Sequence, residues 1–208
     1  MRIGRTRKVP CPYCGATKEL MSLMSGNTFG AKHWSDGKRI APMLPQASPV
    51  QRCYDCGKYY LLYQQKCELG TGHSFQTGDL EYHEWKEAFA QFLEEGMKKS
   101  DLVNVRLGLI RAYNDYYYRN QETHESSEEE RLFINTIIAE FIKLFNWRKV
   151  EIPLLKAELY REIGEMKKCA RVLSSIEGKP MKDLEKAVFD GIKERMEKGD
   201  RTVFLVKY

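Results

Sequence analysis

Two short cysteine pairs carry the most specific chemistry in this chain: Cys11-Pro12-Tyr13-Cys14-Gly15 and Cys53-Tyr54-Asp55-Cys56-Gly57. Thiolates two residues apart on a tight turn can both reach one metal ion. The glycine that follows each pair is expected to let the chain turn beneath the sulfurs, where a side chain would clash. Two such turns supply four sulfurs, enough to close a tetrahedral structural Zn²⁺ site with Cys11, Cys14, Cys53 and Cys56 as ligands. Rubredoxin-like iron uses the same four sulfurs, and sequence alone leaves it open. A thioredoxin-like redox pair would need a βαβ setting, which neither pair has. Cys67 and Cys169 stand outside any pair, and Cys169 reads as a small core residue on an apolar helix face.

The elements that must present these sulfurs are short strands. Lys58-Tyr59-Tyr60-Leu61-Leu62-Tyr63 is rich in strand formers, and Leu20-Met21-Ser22-Leu23-Met24 partly alternates. Two knuckles at hairpin tips clamped by one metal resemble a four-cysteine zinc ribbon, of the rubredoxin-like kind. Between Cys14 and Cys53 lie 38 residues, a long insert for such a unit. Within it Trp34-Ser35-Asp36-Gly37-Lys38 carries an Asp-Gly turn signal between candidate strands. Pro42, Pro45 and Pro49 argue for an irregular return. Phe29 and Trp34 admit two readings: members of a partner-binding loop, or fillers of the small core beside the metal.

From about residue 79 the apolar period lengthens to that of helices. Trp85, Ala88, Phe89, Phe92 and Leu93 share one helix face, with Asp79 as the expected N-cap and Gly96 as the stop. A second helix carries Leu102, Val105, Leu109, Ala112, Tyr113 and Tyr116. A third carries Ile134, Ile137, Ile138, Phe141 and Phe145 behind the acidic first turn Glu128-Glu129-Glu130. Three more are expected over about 153–163, 166–176 and 182–198. The apolar residues of Thr202-Val203-Phe204-Leu205-Val206 form a strand or a docking tail. Short turns favour antiparallel packing.

Ala157, Tyr160, Gly164, Cys169 and Leu173 fall on the places where a tetratricopeptide repeat wants a small residue, an aromatic, a turn glycine, a small residue and a large one. This stretch resembles the heart of such a repeat. The layout as a whole is similar to bacterial proteins that join a zinc ribbon to tetratricopeptide-like helices. The resemblance implies an α+β chain: a small N-terminal β domain over 1–66, a linker over 67–79, and an all-α domain of antiparallel helical hairpins over 80–208. It implies a groove for a protein or peptide partner, and it carries over no catalytic residue.

Charge adds a second expectation. Residues 1–66 hold eleven Lys/Arg against three Asp/Glu, a balance of +8, while the remaining residues balance at −3, for a net of +5. A basic metal-bound platform suits an acidic or nucleic-acid partner. The candidate binding surface is therefore Phe29, Lys32, Trp34, Lys38, Arg39, Arg111, Tyr117 and Arg119. No phosphate-binding loop, nucleophile elbow or H-E-x-x-H occurs, and no catalytic residue is expected. No apolar run reaches the length of a membrane span. The N-terminal residues lack the apolar stretch of a secretory signal. A cytoplasmic, reducing setting is the expectation, and there paired cysteines serve metals more often than disulfides.

Overall fold

The computed structural model describes residues 2–72, 80–119, 124–144 and 152–208. The architecture is α+β, with small antiparallel sheets first and, among the described residues, six helices after them. The expected cap Asp79 and the expected core residue Phe145 lie outside the described residues. The chain forms two compact units. One holds Met1–Ala31 and Ile40–Ala112; the other holds Lys32–Arg39 and Tyr113–Tyr208. The stretch 32–39, which lies in the insert between the cysteine pairs, thus belongs with the later helices.

In the first unit β1 (Arg2–Ile3) pairs antiparallel with β4 (Leu23–Ser25). β2 (Arg7–Pro10) lies between β3 (Thr17–Leu20) and β9 (Glu68–Leu69). Its register sets Arg7 against Leu20 and Pro10 against Thr17, so the first knuckle caps this hairpin. β7 (Val50–Arg52) pairs with β8 (Tyr59–Leu61), Arg52 opposite Tyr59, with the second knuckle at the tip. Strand β8 is buried throughout, and the chain then tightens into a 3₁₀ turn over Leu62–Gln64. No strand interrupts the proline-bearing return between Ile40 and Val50.

Helix α1 (Tyr82–Glu94) buries Tyr82, Trp85, Ala88, Phe89 and Phe92, while Leu93 points to solvent. Its start is Glu81, whose backbone N–H donates to Glu84 Oε2 at 3.0 Å. Its end is Gly96, in the left-handed region at φ 66°. There the Met97 N–H donates to the Phe92 carbonyl at 3.0 Å, closing the helix in a Schellman turn. Helix α2 (Lys99–Asn114) buries Leu102, Val105, Leu109 and Ile110. Gly108 is there for closeness: a Cβ would sit 2.2 Å from the Trp85 ring. Tyr116 falls beyond α2, in a π-turn over Asp115–Arg119, and is exposed.

In the second unit β5 (Lys32–His33) and β6 (Arg39–Ile40) make a hairpin whose turn holds Gly37 at φ 74°. The C-terminal segment runs alongside it. The Ser35 N–H donates to the Phe204 carbonyl at 3.0 Å and the Val206 N–H to the His33 carbonyl at 2.8 Å. The expected apolar tail therefore docks, with Val203, Phe204 and Val206 buried. Helix α3 (Glu128–Leu144) starts at Ser127, whose Oγ accepts the Glu130 N–H. Helices α4 (Ile152–Glu162), α5 (Met166–Ile176) and α6 (Asp183–Glu197) close within a residue or two of the expected bounds.

Ala157, Cys169 and Leu173 are core residues, joined by Leu154, Ile176, Phe189, Ile192 and Phe204. Gly164, at φ 81°, makes the α4–α5 turn, with the Glu165 N–H bonded to the Tyr160 carbonyl at 2.8 Å. Among the described residues one ion pair is buried completely: Arg161 and Glu158 are both 0% exposed, joined at 2.6 Å. The same guanidinium also donates to the Asp200 and Thr202 carbonyls, which ties the C-terminal segment to α4.

Candidate metal centre

The two knuckles are nearly the same object. In the first, the Gly15 N–H donates to the Cys11 carbonyl at 3.0 Å and the Cys11 N–H to the Ala16 carbonyl at 2.8 Å. In the second, Gly57 donates to Cys53 and Cys53 to Lys58, both at 2.9 Å. Gly15 and Gly57 sit at φ 76° and 74°. A Cβ at either would meet nothing within 4 Å. The expected clash beneath the sulfurs is therefore not the reason for these glycines; the left-handed backbone is.

These turns bring the Sγ atoms of Cys11, Cys14, Cys53 and Cys56 within 4.8 Å of one another. Cys11 lies 3.7 Å from Cys56 and Cys14 lies 3.6 Å from Cys53, each pair crossing between knuckles. A tetrahedral ion with bonds of about 2.3 Å to sulfur requires sulfurs about 3.8 Å apart. The four thiols thus fit a single metal ion. Cys11 and Cys53 are buried, while Cys14 and Cys56 face solvent. The floor is apolar: Val9, Leu20 and Tyr60 pack with the two buried cysteines, and Ala16, Ala47 and Leu62 border them.

The thiols differ in proton affinity. Burial opposes the Cys53 thiolate, but the backbone groups of Cys56 and Asp55 outweigh it and bring the thiol down to about 7. At Cys14 the Ala16 backbone favours the thiolate, yet desolvation and the three neighbouring sulfurs push it up to about 12. Four thiolates gathered here repel one another, and a metal cation held among them would supply the charge that lets the protons leave.

The candidate binding residues separate into two groups. Phe29 is 87% exposed, its backbone N–H turned onto Asn27 Oδ1. Lys32 and Arg39 are exposed, and Arg111 and Tyr117 are half-buried. Trp34, Lys38 and Arg119 instead belong to an internal cluster of the second unit. The Arg119 side chain is only 4% exposed; it pairs with Asp36 and, at 2.6 Å, with Asp115. Its guanidinium lies 4.9 Å over the Trp34 ring, and Lys38 pairs with Asp115. Neither Phe29 nor Trp34 fills the core beside the sulfurs. The physical reason is Asp36: a carboxylate with no solvent exposure needs a cation, and Arg119 answers it. In its local sequence Asp36 is only a turn residue before Gly37. The buried acid Glu162 was also missed; its place next to Arg161 and four residues from Glu158 offered only a weak signal.

Comparison of the chain with protein-family models, with curated proteins and with solved structures returns no match.

Proposed function

We propose that this chain is a zinc-stapled binding protein: Cys11, Cys14, Cys53 and Cys56 hold structural Zn²⁺, and the helices take a protein or peptide partner. The observation that carries the metal role is the mutual spacing of the four sulfurs. Four protein ligands fill a tetrahedron and leave no position for water or substrate, which is the pattern of a structural site rather than a catalytic one. Zinc is the reading because a closed tetrahedral four-thiolate set is a structural Zn²⁺ site, with iron the other metal that this ligand set accepts. The free thiols suit a reducing compartment. Among the described residues no helix is long and apolar enough to cross a membrane.

The partner reading draws on the second unit. The α4–α5 hairpin has its small, turn and large residues where a tetratricopeptide-like repeat puts them. Between α6 and the C-terminal segment runs an open groove of about 570 Å³, lined by Asp190, Glu194, Leu205, Lys207 and Tyr208 among others. Leu205 and Tyr208 are large apolar residues left exposed beside it. A randomised peptide display library tests this reading. Selected peptides should lose binding to Leu205→Glu and Tyr208→Ala; a library that enriches nothing, or peptides indifferent to both changes, refutes it.

Nucleic-acid binding is the second reading. It is favoured by the exposed Tyr54 ring of the second knuckle, with Lys18 Nζ 4.8 Å from its centroid, and by the basic balance of 1–66. Binding of this kind weakens steeply with salt. Gel shifts at low salt with single- and double-stranded DNA and RNA decide it.

A further inference from the structure

Within the second unit a cavity of about 120 Å³ lies among Tyr113 and Asn114 at the end of α2, Tyr118 of the π-turn, Arg131, Ile134, Asn135 and Ile138 of α3, Glu162 of α4, and Arg201. It carries both signs of charge. Glu162 is a buried acid whose Oε2 accepts from Asn114 Nδ2 at 3.1 Å. Its Oε1 has no hydrogen-bond partner among the described residues. A buried carboxyl oxygen left unmatched is costly, and an incoming N–H donor would relieve that cost. Arg201 is braced by two bonds, Nε to the Glu162 carbonyl at 2.7 Å and Nη2 to Asn135 Oδ1 at 3.1 Å.

We propose that this cavity binds a small free α-amino acid, its ammonium group on Glu162 and its carboxylate on Arg201.

Size supports this assignment. A cavity near 150 Å³ takes the six carbons of a benzene ring, so this one of about 120 Å³ suits about five non-hydrogen atoms, the size of glycine, with alanine at its limit. The walls match as well. Tyr113 and Tyr118 meet edge to face at 5.9 Å, forming an aromatic corner of the kind that faces an ammonium group. Ile134 and Ile138 are buried apolar residues on the α3 side, suited to a methyl-sized side chain. A simple amine would leave Arg201 without its anion, and a simple carboxylate would leave Glu162 unmatched.

The protonation state of Glu162 gives a readout that packing alone would not move. Burial first, then Glu158 on the same helix and Asp36 from the hairpin, hold its carboxyl well above the usual range. Asn114 and Arg161 pull the other way without prevailing. Arg201 and Tyr118 also line its cavity. An ammonium group arriving at Glu162 favours the carboxylate, so a proton leaves for solvent as the ligand binds.

The test is titration calorimetry of the full chain at neutral pH with glycine, alanine and serine. It is run in two buffers of different ionisation heat, beside alaninamide and N-acetylalanine. The expected result is saturable binding of at least one free amino acid with proton release, and no binding of the two blocked forms. Glu162→Gln keeps the shape and removes the charge. It should fold, abolish proton release and weaken binding at least about tenfold. Asn135→Leu, which narrows the site from α3, should weaken binding while leaving the α4–α6 core intact. No heat from any free amino acid up to about a hundredfold above a millimolar Kd, equal binding of alaninamide, or unchanged binding by Glu162→Gln would each overturn the assignment.

Discussion

Replacing Asp36 with alanine is the most informative single perturbation of the second unit. Asp36 has no exposed surface, yet three donors converge on it: the Arg119 guanidinium, Asn114 Nδ2 at 3.2 Å, and the Lys38 backbone N–H at 3.1 Å. Removing one member of a buried ion pair costs about 3–5 kcal/mol, because the other charge stays desolvated. Here Arg119 keeps Asp115 and Asn114 keeps Glu162, which places the loss at the low end. Glu162, whose carboxyl Asp36 helps to hold above the usual range, ionises more easily without it, which offsets a further part. The lost turn bond to Lys38 adds about 1 kcal/mol. The expected destabilisation is about 3 kcal/mol, roughly a hundredfold in the folding equilibrium. Urea unfolding followed by circular dichroism measures it. Asp36→Asn, which preserves the turn acceptor, should cost less. A double-mutant cycle with Arg119→Ala should return a coupling above about 1.5 kcal/mol. An Asp36→Ala protein within about 0.5 kcal/mol of wild type would refute the reasoning, since it would mean that residues 32–39 do not bury this carboxylate.

Three further outcomes follow from the same structure. Gly108→Ala should destabilise the first unit by about 1–3 kcal/mol despite alanine's better helix propensity, because its methyl would meet the Trp85 ring; the urea midpoint reports it. Arg161→Met should cost about 3–5 kcal/mol by stranding the fully buried Glu158, and amide exchange over 202–206 should quicken as the C-terminal segment loses its anchor. On the alkaline side, burial and the hydrogen bond to Asp101 push the Tyr63 hydroxyl up to about 12, and burial and Glu87 raise Tyr59 as well. Both neutral phenols favour the fold. Their contribution is whole below the ordinary tyrosine value of about 10 and is lost as pH rises through the folded values. Tyrosinate absorbance should therefore lag in wild type, and Tyr63→Phe should flatten the alkaline fall in stability.

How much of this was legible in the sequence depends on the range of the interaction. The knuckles were legible because two cysteines and a glycine set their own turn within six residues, and the structure repeats that turn at both places. The helices were legible because their periodicity is local; their limits moved by a residue or two, and Leu93 left the expected α1 face. The purpose of Gly15 and Gly57 was half right, since φ demands them and crowding does not. What sequence could not convey was pairing across the chain. Ser35 and Phe204 are 169 residues apart and share two hydrogen bonds. Trp34, Lys38 and Arg119 read as an aromatic and basic surface because nothing local revealed that a buried Asp36 would claim them. Phe29, with no such partner, stays exposed.

The central claim is the metal, and its content in the purified chain tests it most directly. Protein isolated without chelator and analysed by elemental mass spectrometry should carry one zinc per chain. Cys53→Ser should carry far less, with faster amide exchange in β2, β3, β7 and β8 and unchanged exchange in α4 to α6. A wild-type ratio far below one, with no iron in its place, would contradict the account.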